Sequence, residues 1–369
     1  VSSTPEPTAD ARPVAPADPA PLARADPAPG APSRSTLLAD HTTIRLGGPA
    51  TDLVWAEDEA SLIDAVTAAD ARGTPLLLLG GGSNLVVADA GFDGVVARVA
   101  HRGIRFEPDG DCVRVHVASG EIWDDVVLAS LTNGLAGLEC LSGIPGLTGA
   151  TPIQNVGAYG AEISSVITGV RAFDREEHTV VNLSNMQCHF GYRTSAFKRA
   201  QRHVILEVQI SLAASEKSAP IRYAELAKAL DVELGETAPT DDVRAAVLQL
   251  RAAKGMLIDA RDPDSVSVGS FFTNPVLPAA EVPPLAPQWP AVDGHLKTSA
   301  AWLIEQAGFG RGYGVGRVGL STKHTLALVN RGGASTSELI DFARVIRAGV
   351  RDRFGISLDV EPALVGVTL

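Results

Sequence analysis

The apolar run Leu76 to Leu79 is followed at once by Gly80-Gly81-Gly82-Ser83-Asn84. Consecutive glycines leave no Cβ between the backbone N–H groups and an incoming phosphate, and Ser83 and Asn84 add polar partners. The segment is a candidate pyrophosphate cradle, although a glycine-rich turn after a strand is, taken alone, more often structural. The sequence holds no G-x-x-x-x-G-K-[ST], and no G-x-G-x-x-G opening a helix with an acidic residue about 20 positions later. A P-loop and a Rossmann NAD site are therefore disfavoured.

A second such stretch runs from Ser142 to Gly160, SGIPGLTGATPIQNVGAYG. Glycines permit irregular backbone there, and amide side chains suit a flat, polar ligand. A long segment without clear period inside a compact domain is more often functional than connective. Further on stand Arg193 in FGYRTSAFK, Ser270 in GSFFTNP and Glu361 in EPALVG. By themselves these read as a surface ion-pair partner, a turn residue beside Gly269 and a solvated acid near the chain end.

Taken together and in this order, the five motifs resemble the UDP-N-acetylenolpyruvoylglucosamine reductase (UDP-N-acetylmuramate dehydrogenase, MurB) family, a flavin-enzyme family of peptidoglycan precursor synthesis. The resemblance spans about Leu37 to Gly366. It implies an α+β protein: a vanillyl-alcohol-oxidase/PCMH-type FAD-binding domain, then a C-terminal α/β substrate-binding domain. It also implies non-covalent FAD, held at Gly80, Gly81, Gly82, Ser83 and Asn84 and at Ile144, Pro145, Gln154, Asn155, Gly157, Ala158, Tyr159 and Gly160.

The implied reaction moves hydride from NADPH through the flavin to the enolpyruvyl double bond of a UDP-sugar, leaving a carbanion that needs charge stabilisation and a proton. Arg193 matches the family's stabilising arginine, whose guanidinium fork suits a carboxylate passing into an enolate. Ser270 matches the proton donor. A hydroxyl is a weak acid but still holds its proton at pH 7, and a carbanion is basic enough to take it. Glu361 matches the C-terminal catalytic glutamate, which could orient or re-protonate the serine. Tyr192, Tyr223, Lys254 and Asn274 are the expected substrate contacts, with Arg311, Lys323 and His324 weaker ones. Ala224 stands where a glycine is expected, and the segment from Gly255 to Val268 is longer than expected. The family's response to potassium implies K+ activation, but no residue pattern places the ion.

These residues must be positioned by alternating helical and extended segments. Leu62, Ile63 and Val66 share a face over Asp58 to Ala71, which predicts a helix ended by Gly73 and Pro75. Leu76 to Leu79 reads as a buried strand; Val95 to Val99, Val113 to Val117, Gly169 to Phe173 and Val204 to Leu212 also read as strands. Further helices are expected over Glu121 to Thr132, Asp241 to Ala253, Ser299 to Ala307 and Thr336 to Phe354, the last opening on the capping box Ser335-x-x-Glu338 and closing at Gly355. Ser215 to Ala219 looks like a linker. The expected division is a disordered Ala/Pro-rich tail over residues 1–36, a two-lobed FAD-binding domain over 37–214 and a substrate-binding domain over 215–369.

With 369 residues and 45% of them apolar, the chain can bury a sizeable core. A net charge of −12 disfavours nucleic-acid binding. Cys112, Cys140 and Cys188 show no disulfide or zinc spacing, and the eight histidines form no metal motif, so no catalytic metal is expected. No apolar run is long enough to cross a bilayer and no signal-peptide order is seen, so a cytoplasmic protein without membrane insertion is expected; separately, a monomer is expected. Two other readings remain open: a flavin oxidase with a His or Cys tether, and a non-catalytic flavin or UDP-sugar binding protein.

Overall fold

The first lobe alternates strand and helix: β1 (Ala50–Ala56), α1 (Glu59–Arg72), β2 (Leu76–Leu79), β3 (Leu85–Val87) and β4 (Phe92–Val99). Asp58 caps α1 by accepting from the Ser61 N–H, and Gly73 closes it at φ 60°. Leu62, Val66 and Ala69 are its buried face, as the apolar spacing requires. β1, β4 and β2 form a parallel sheet in that order. β2 is thus an edge strand, which corrects the expectation of a buried one: Leu79 is 0% exposed but Leu78 37%. The computed structural model describes residues 36–198 and 201–369, so the expected tail lies, but for Thr36, outside the described residues.

The second lobe is antiparallel. β5 (Ile104–Asp109), β6 (Cys112–Ala118), α2 (Trp123–Thr132) and β7 (Leu135–Ala136) come first, then the short pair β8 (Gly157–Ala158) and β9 (Ala161–Glu162), then β10 (Ile167–Asp174), β11 (Thr179–Ser184) and β12 (His203–Ala214). The sheet order is β11-β10-β12-β6-β5, with β7 beside β12. Trp123, Val126, Val127 and Leu131 of α2 pack on Val115, Val117, Val208 and Ile210. Arg171 and Arg175 on and after β10 grip Glu59 and Asp70 of α1 with forked guanidinium–carboxylate pairs, locking the lobes together.

α3 (Ala224–Leu230) and α4 (Thr240–Ala253) close a small core around Ile221, Leu226, Val243 and Val247. The expected linker is structured: Ser218 is buried and its N–H donates to the Ala238 carbonyl at 2.8 Å. The last third contains β13 (Ser267–Ser270), β14 (Val276–Pro278), β15 (Gln288–Pro290), β16 (His295–Thr298), α5 (Ala300–Gln306), β17 (Val318–Leu320), β18 (Ala327–Asn330), α6 (Thr336–Phe354) and β19 (Ala363–Val365). Both halves of the Ser335/Glu338 capping box are formed, and Gly355 ends α6 at φ 73°. Its stripe of Leu339, Ile340, Ala343, Ile346 and Val350 meets Leu303, Leu328, Phe271 and Phe272, and also Ile44, Leu46 and Val86 from the start of the chain. That recruitment binds the last third to the first lobe.

Candidate active site

Two strand pairings assemble the site. β19 lies parallel to β3, with Ala363 opposite Leu85 and Val365 opposite Val87. The Ala363 N–H donates to the Asn84 carbonyl at 2.9 Å, and Asn84 Nδ2 donates to the Glu361 carbonyl at 3.4 Å. The end of the glycine loop and the end of the chain are thereby stitched together. On the other side, Val360 bridges Phe272 and the Glu361 N–H donates to the Phe271 carbonyl at 3.0 Å, which brings in the end of β13. β13 is irregular between Ser267 and Ser270, and Gly269 at φ 72° takes up the bulge just before Ser270.

Arg193 sits in a tight turn closed by the Gly191–Thr194 bridge, at φ 51°, in the left-handed region that L-residues seldom occupy. Its Nη2 donates to the Gly157 carbonyl at 2.8 Å and its Nη1 to the Asn155 carbonyl at 3.4 Å. Nε lies 3.1 Å from Glu361 Oε1. Lys198 Nζ donates to the Arg193 carbonyl at 2.6 Å. Burial pushes the Glu361 carboxyl above its ordinary value, while the nearby Arg193 and Lys198 charges pull the other way.

At Gly81 and Gly82 the loop is packed too tightly for a side chain. A Cβ on Gly81 would stand 2.6 Å from Gly146 Cα, and one on Gly82, at φ 64°, would stand 1.9 Å from the His41 carbonyl oxygen. Ser83 Oγ donates to the Pro145 carbonyl at 2.9 Å, and Arg98 donates to the Gly80 carbonyl. Ser83 and Asn84 thus brace the loop against its neighbours with the groups expected to serve a phosphate directly.

A cavity of about 780 Å³ opens between these parts. Arg193, Ser270 and Glu361 all line it, as do Gly80 to Asn84, Ile144, Pro145, Gln154, Gly157 and Ala158. Its size lies within the range of about 300–1,000 Å³ typical of ligand sites, and a glycine cradle joined to a long, largely apolar wall suits a dinucleotide with a planar ring. Asn155, Tyr159 and Gly160 are outside that lining. The Asn155 amide is 1% exposed and spent inside the protein, donating to Glu162 and the Gly191 carbonyl and accepting from the Ser164 N–H. It holds the Arg193 turn rather than offering a contact.

The expected substrate residues form two groups beside the cavity. Tyr192 stands next to Asn274, whose Oδ1 also accepts from the Ala300 N–H at the start of α5. Tyr223 packs edge-on to Tyr159, with ring centroids 5.5 Å apart, and Lys254 lies over the Tyr159 ring while paired to Glu225. His324, held down to about 4 by burial and by Lys254 and Arg311, belongs to the second group. Lys323 is instead bound to Asp262 at 2.8 Å.

Sequence reading missed three cations. Lys198 closes the FGYRTSAFK motif with no local pattern to mark it, yet it lines the cavity. Lys297 lies 4.8 Å above the Tyr192 ring from a separate small sheet, and no local pattern could announce it. Arg251 lines the cavity from the buried face of α4, where a charge at four-residue spacing after Val243 and Val247 was a legible signal. Cys140 and Cys188 are outside the cavity lining, and burial pushes their thiols up to about 12 and about 11. Neither offers the thiolate a flavin tether requires.

The class is that of the FAD-dependent oxidoreductases: residues 51–184 match the family model described as "FAD binding domain". Residues 262–365 match the one described as "UDP-N-acetylenolpyruvoylglucosamine reductase, C-terminal domain". The UDP-N-acetylenolpyruvoylglucosamine reductase of Salinispora arenicola is 51% identical, covering 92% of this chain and 97% of its own. That of Streptomyces avermitilis is 52% identical, covering 90% and 94%. The chain belongs to the UDP-N-acetylenolpyruvoylglucosamine reductase family. The crystal structure of the Thermus caldophilus reductase shares the fold, with a TM-score of 0.61 at 24% identity over 89% of this chain and 97% of that one.

Proposed function

We propose that the chain reduces UDP-N-acetylglucosamine enolpyruvate to UDP-N-acetylmuramate with NADPH, as a cytoplasmic monomer in peptidoglycan precursor synthesis. The observation that carries this reading is the Arg193–Glu361 pair, 3.1 Å apart, in the same cavity as Ser270 and the glycine cradle. Residues 37–214 would hold FAD and 215–369 most of the substrate. When bound, FAD supplies hydride transfer from NADPH to the vinyl methylene carbon of the enolpyruvyl group.

The other steps belong to side chains of this chain. Arg193 meets the substrate carboxylate as its charge spreads into an enolate. Backbone carbonyls and Glu361 fix its fork in advance, so little reorganisation is needed when charge develops. Ser270 gives its hydroxyl proton to the carbanion. Glu361, one residue away across the Phe271 hydrogen bond, orients that hydroxyl and returns a proton to it. Tyr223, Lys254 and Asn274 hold the diphosphate-sugar; K+ activation belongs to the same reading.

The test is spectroscopic. Purified protein should show flavin absorbance that bleaches on anaerobic addition of NADPH and returns on adding the enolpyruvyl UDP-sugar. A protein that takes up FAD but fails to re-oxidise with the sugar would overturn the substrate assignment.

A further inference from the structure

Asn155 stands between Gln154 and Val156, which line the cavity, yet it is not part of that lining itself. Its three side-chain partners admit one orientation of the amide. Glu162 Oε2, at 2.9 Å, and the Gly191 carbonyl, at 3.1 Å, can only accept, so both amide protons go to them. The Ser164 N–H, at 3.1 Å, can only donate, so it meets Oδ1. A carboxylate here would set negative oxygens against Glu162 and Gly191, and an apolar side chain would leave buried polar groups unmatched.

The same few residues hold Arg193. Its Nη1 donates to the Asn155 carbonyl and its Nη2 to the Gly157 carbonyl, and Gly157 is the residue paired with Glu162 across the β8–β9 hairpin. A Cβ on Gly157 would stand 2.9 Å from Glu162 Cγ and 3.3 Å from Arg193 Nη1, so the acid and the guanidinium share that backbone only because it is glycine. The Gly191 carbonyl that accepts from Asn155 also accepts from the Thr194 N–H at 3.2 Å, closing the turn that carries Arg193. Asn155, at φ 46°, and Arg193, at φ 51°, are both left-handed. Such backbone is costly for non-glycine residues and persists where its surroundings over-determine it. The charge of Glu162 also reaches Lys297, the ammonium above the Tyr192 ring.

We propose that Asn155 and Glu162 are positioning residues for reduction of the enolpyruvyl group. Glu162 fixes the Asn155 amide, the amide fixes the Gly191–Thr194 turn, and the turn aims the Arg193 guanidinium into the cavity. Neither residue lines the cavity, so both act through Arg193. This depends on Arg193 meeting the substrate carboxylate, and so on the function proposed above. A group that stabilises charge only as it develops is sensitive to aim: a misplacement of about 1 Å can cost about 10² in rate.

Asn155→Gly removes the amide while keeping left-handed backbone at no steric cost. In single turnovers of the FAD-loaded enzyme, its reduction by NADPH should match wild type, whereas re-oxidation by saturating enolpyruvyl UDP-sugar should slow about 10–100-fold. In an Arg193→Lys background the same substitution should cost about threefold or less, because a residue acting through the guanidinium fork has little to act on once the fork is gone. Glu162→Ala should behave like Asn155→Gly, and Glu162→Gln, which returns an acceptor to the amide, should recover most of the rate. Hydrogen–deuterium exchange over residues 186–198 reads the turn without any reaction and should quicken in Asn155→Gly. If Asn155→Gly does not fold, Glu162→Ala is read in its place. Wild-type re-oxidation in the variant, an equal fold-loss in both backgrounds, unchanged exchange, or failure of both variants to fold would overturn the proposal. A wild-type enzyme inert toward the sugar would instead sink the proposed function, and exchange would then decide by itself whether Asn155 holds the turn.

Discussion

Arg193 Nε and Glu361 Oε1 lie 3.1 Å apart although one residue closes a turn in the flavin lobe and the other sits eight residues before Leu369. Neither is fully buried, with side chains 23% and 15% exposed, so each can still reach a ligand in the cavity. The pair joins a cation suited to an enolate with an acid whose pKa is raised, and it makes several outcomes measurable.

Replacing Ser270 by Ala removes one hydroxyl without disturbing β13. FAD content and the NADPH half-reaction should stay near wild type, while reduction of the enolpyruvyl UDP-sugar falls by about 10²–10⁴, the usual worth of a positioned proton donor. Single-turnover absorbance with each substrate separates the two; retained sugar reduction would remove Ser270 from the mechanism.

Replacing Arg193 by Lys keeps the charge and loses the fork. The expected loss in kcat is about 10²–10³, as for other preorganised stabilisers of developing charge. Wild-type kcat with only a raised KM would make Arg193 a binding residue.

Glu361 also gives a stability test with a definite sign. Burial raises its folded pKa above the ordinary value of 4.5, so the folded state holds the proton longer than the unfolded chain. Its contribution is fully present below 4.5 and is lost as pH rises through the folded pKa. The Tm of Glu361→Gln relative to wild type should therefore climb across that window. A difference in Tm independent of pH would show that the carboxyl does not titrate abnormally.

The cradle glycines should differ sharply. Gly82→Ala places a Cβ against the His41 carbonyl at an unfavourable φ, and backbone strain alone costs about 1–3 kcal/mol. Gly80→Ala meets only Leu147 Cδ1, at 3.9 Å. Thermal melts and FAD titration should find the first variant destabilised and poor in flavin and the second folded; equal behaviour would mean the loop yields.

Lys254 tests the substrate side. Lys254→Ala should raise KM for the UDP-sugar about tenfold or more with kcat little changed, because a point charge on a diphosphate acts in the ground and transition states alike. A fall in kcat at constant KM would instead tie Lys254 to the chemistry.

What the sequence by itself determined was local in origin. Asp58 with Gly73, and Ser335 and Glu338 with Gly355, mark helix ends because caps and left-handed glycines act within a few residues. The order of motifs around Gly80, Ser142, Arg193, Ser270 and Glu361 was enough to identify the family. Tertiary structure decided everything that depends on distant segments meeting. Only the pairing of β19 with β3 and the bridge from Val360 to Phe272 put Glu361 beside Arg193 in the cavity that Ser270 also lines. Strand order made β2 an exposed edge, and packing spent the Asn155 amide inside the protein. Lys297 reaches Tyr192 from an unrelated sheet, and Arg251 lacks an acid because Arg244 has taken Asp124. Such facts stay out of a sequence because partner choice is a three-dimensional competition among charges and hydrogen-bonding groups, and a linear pattern shows the competitors without the distances that settle it.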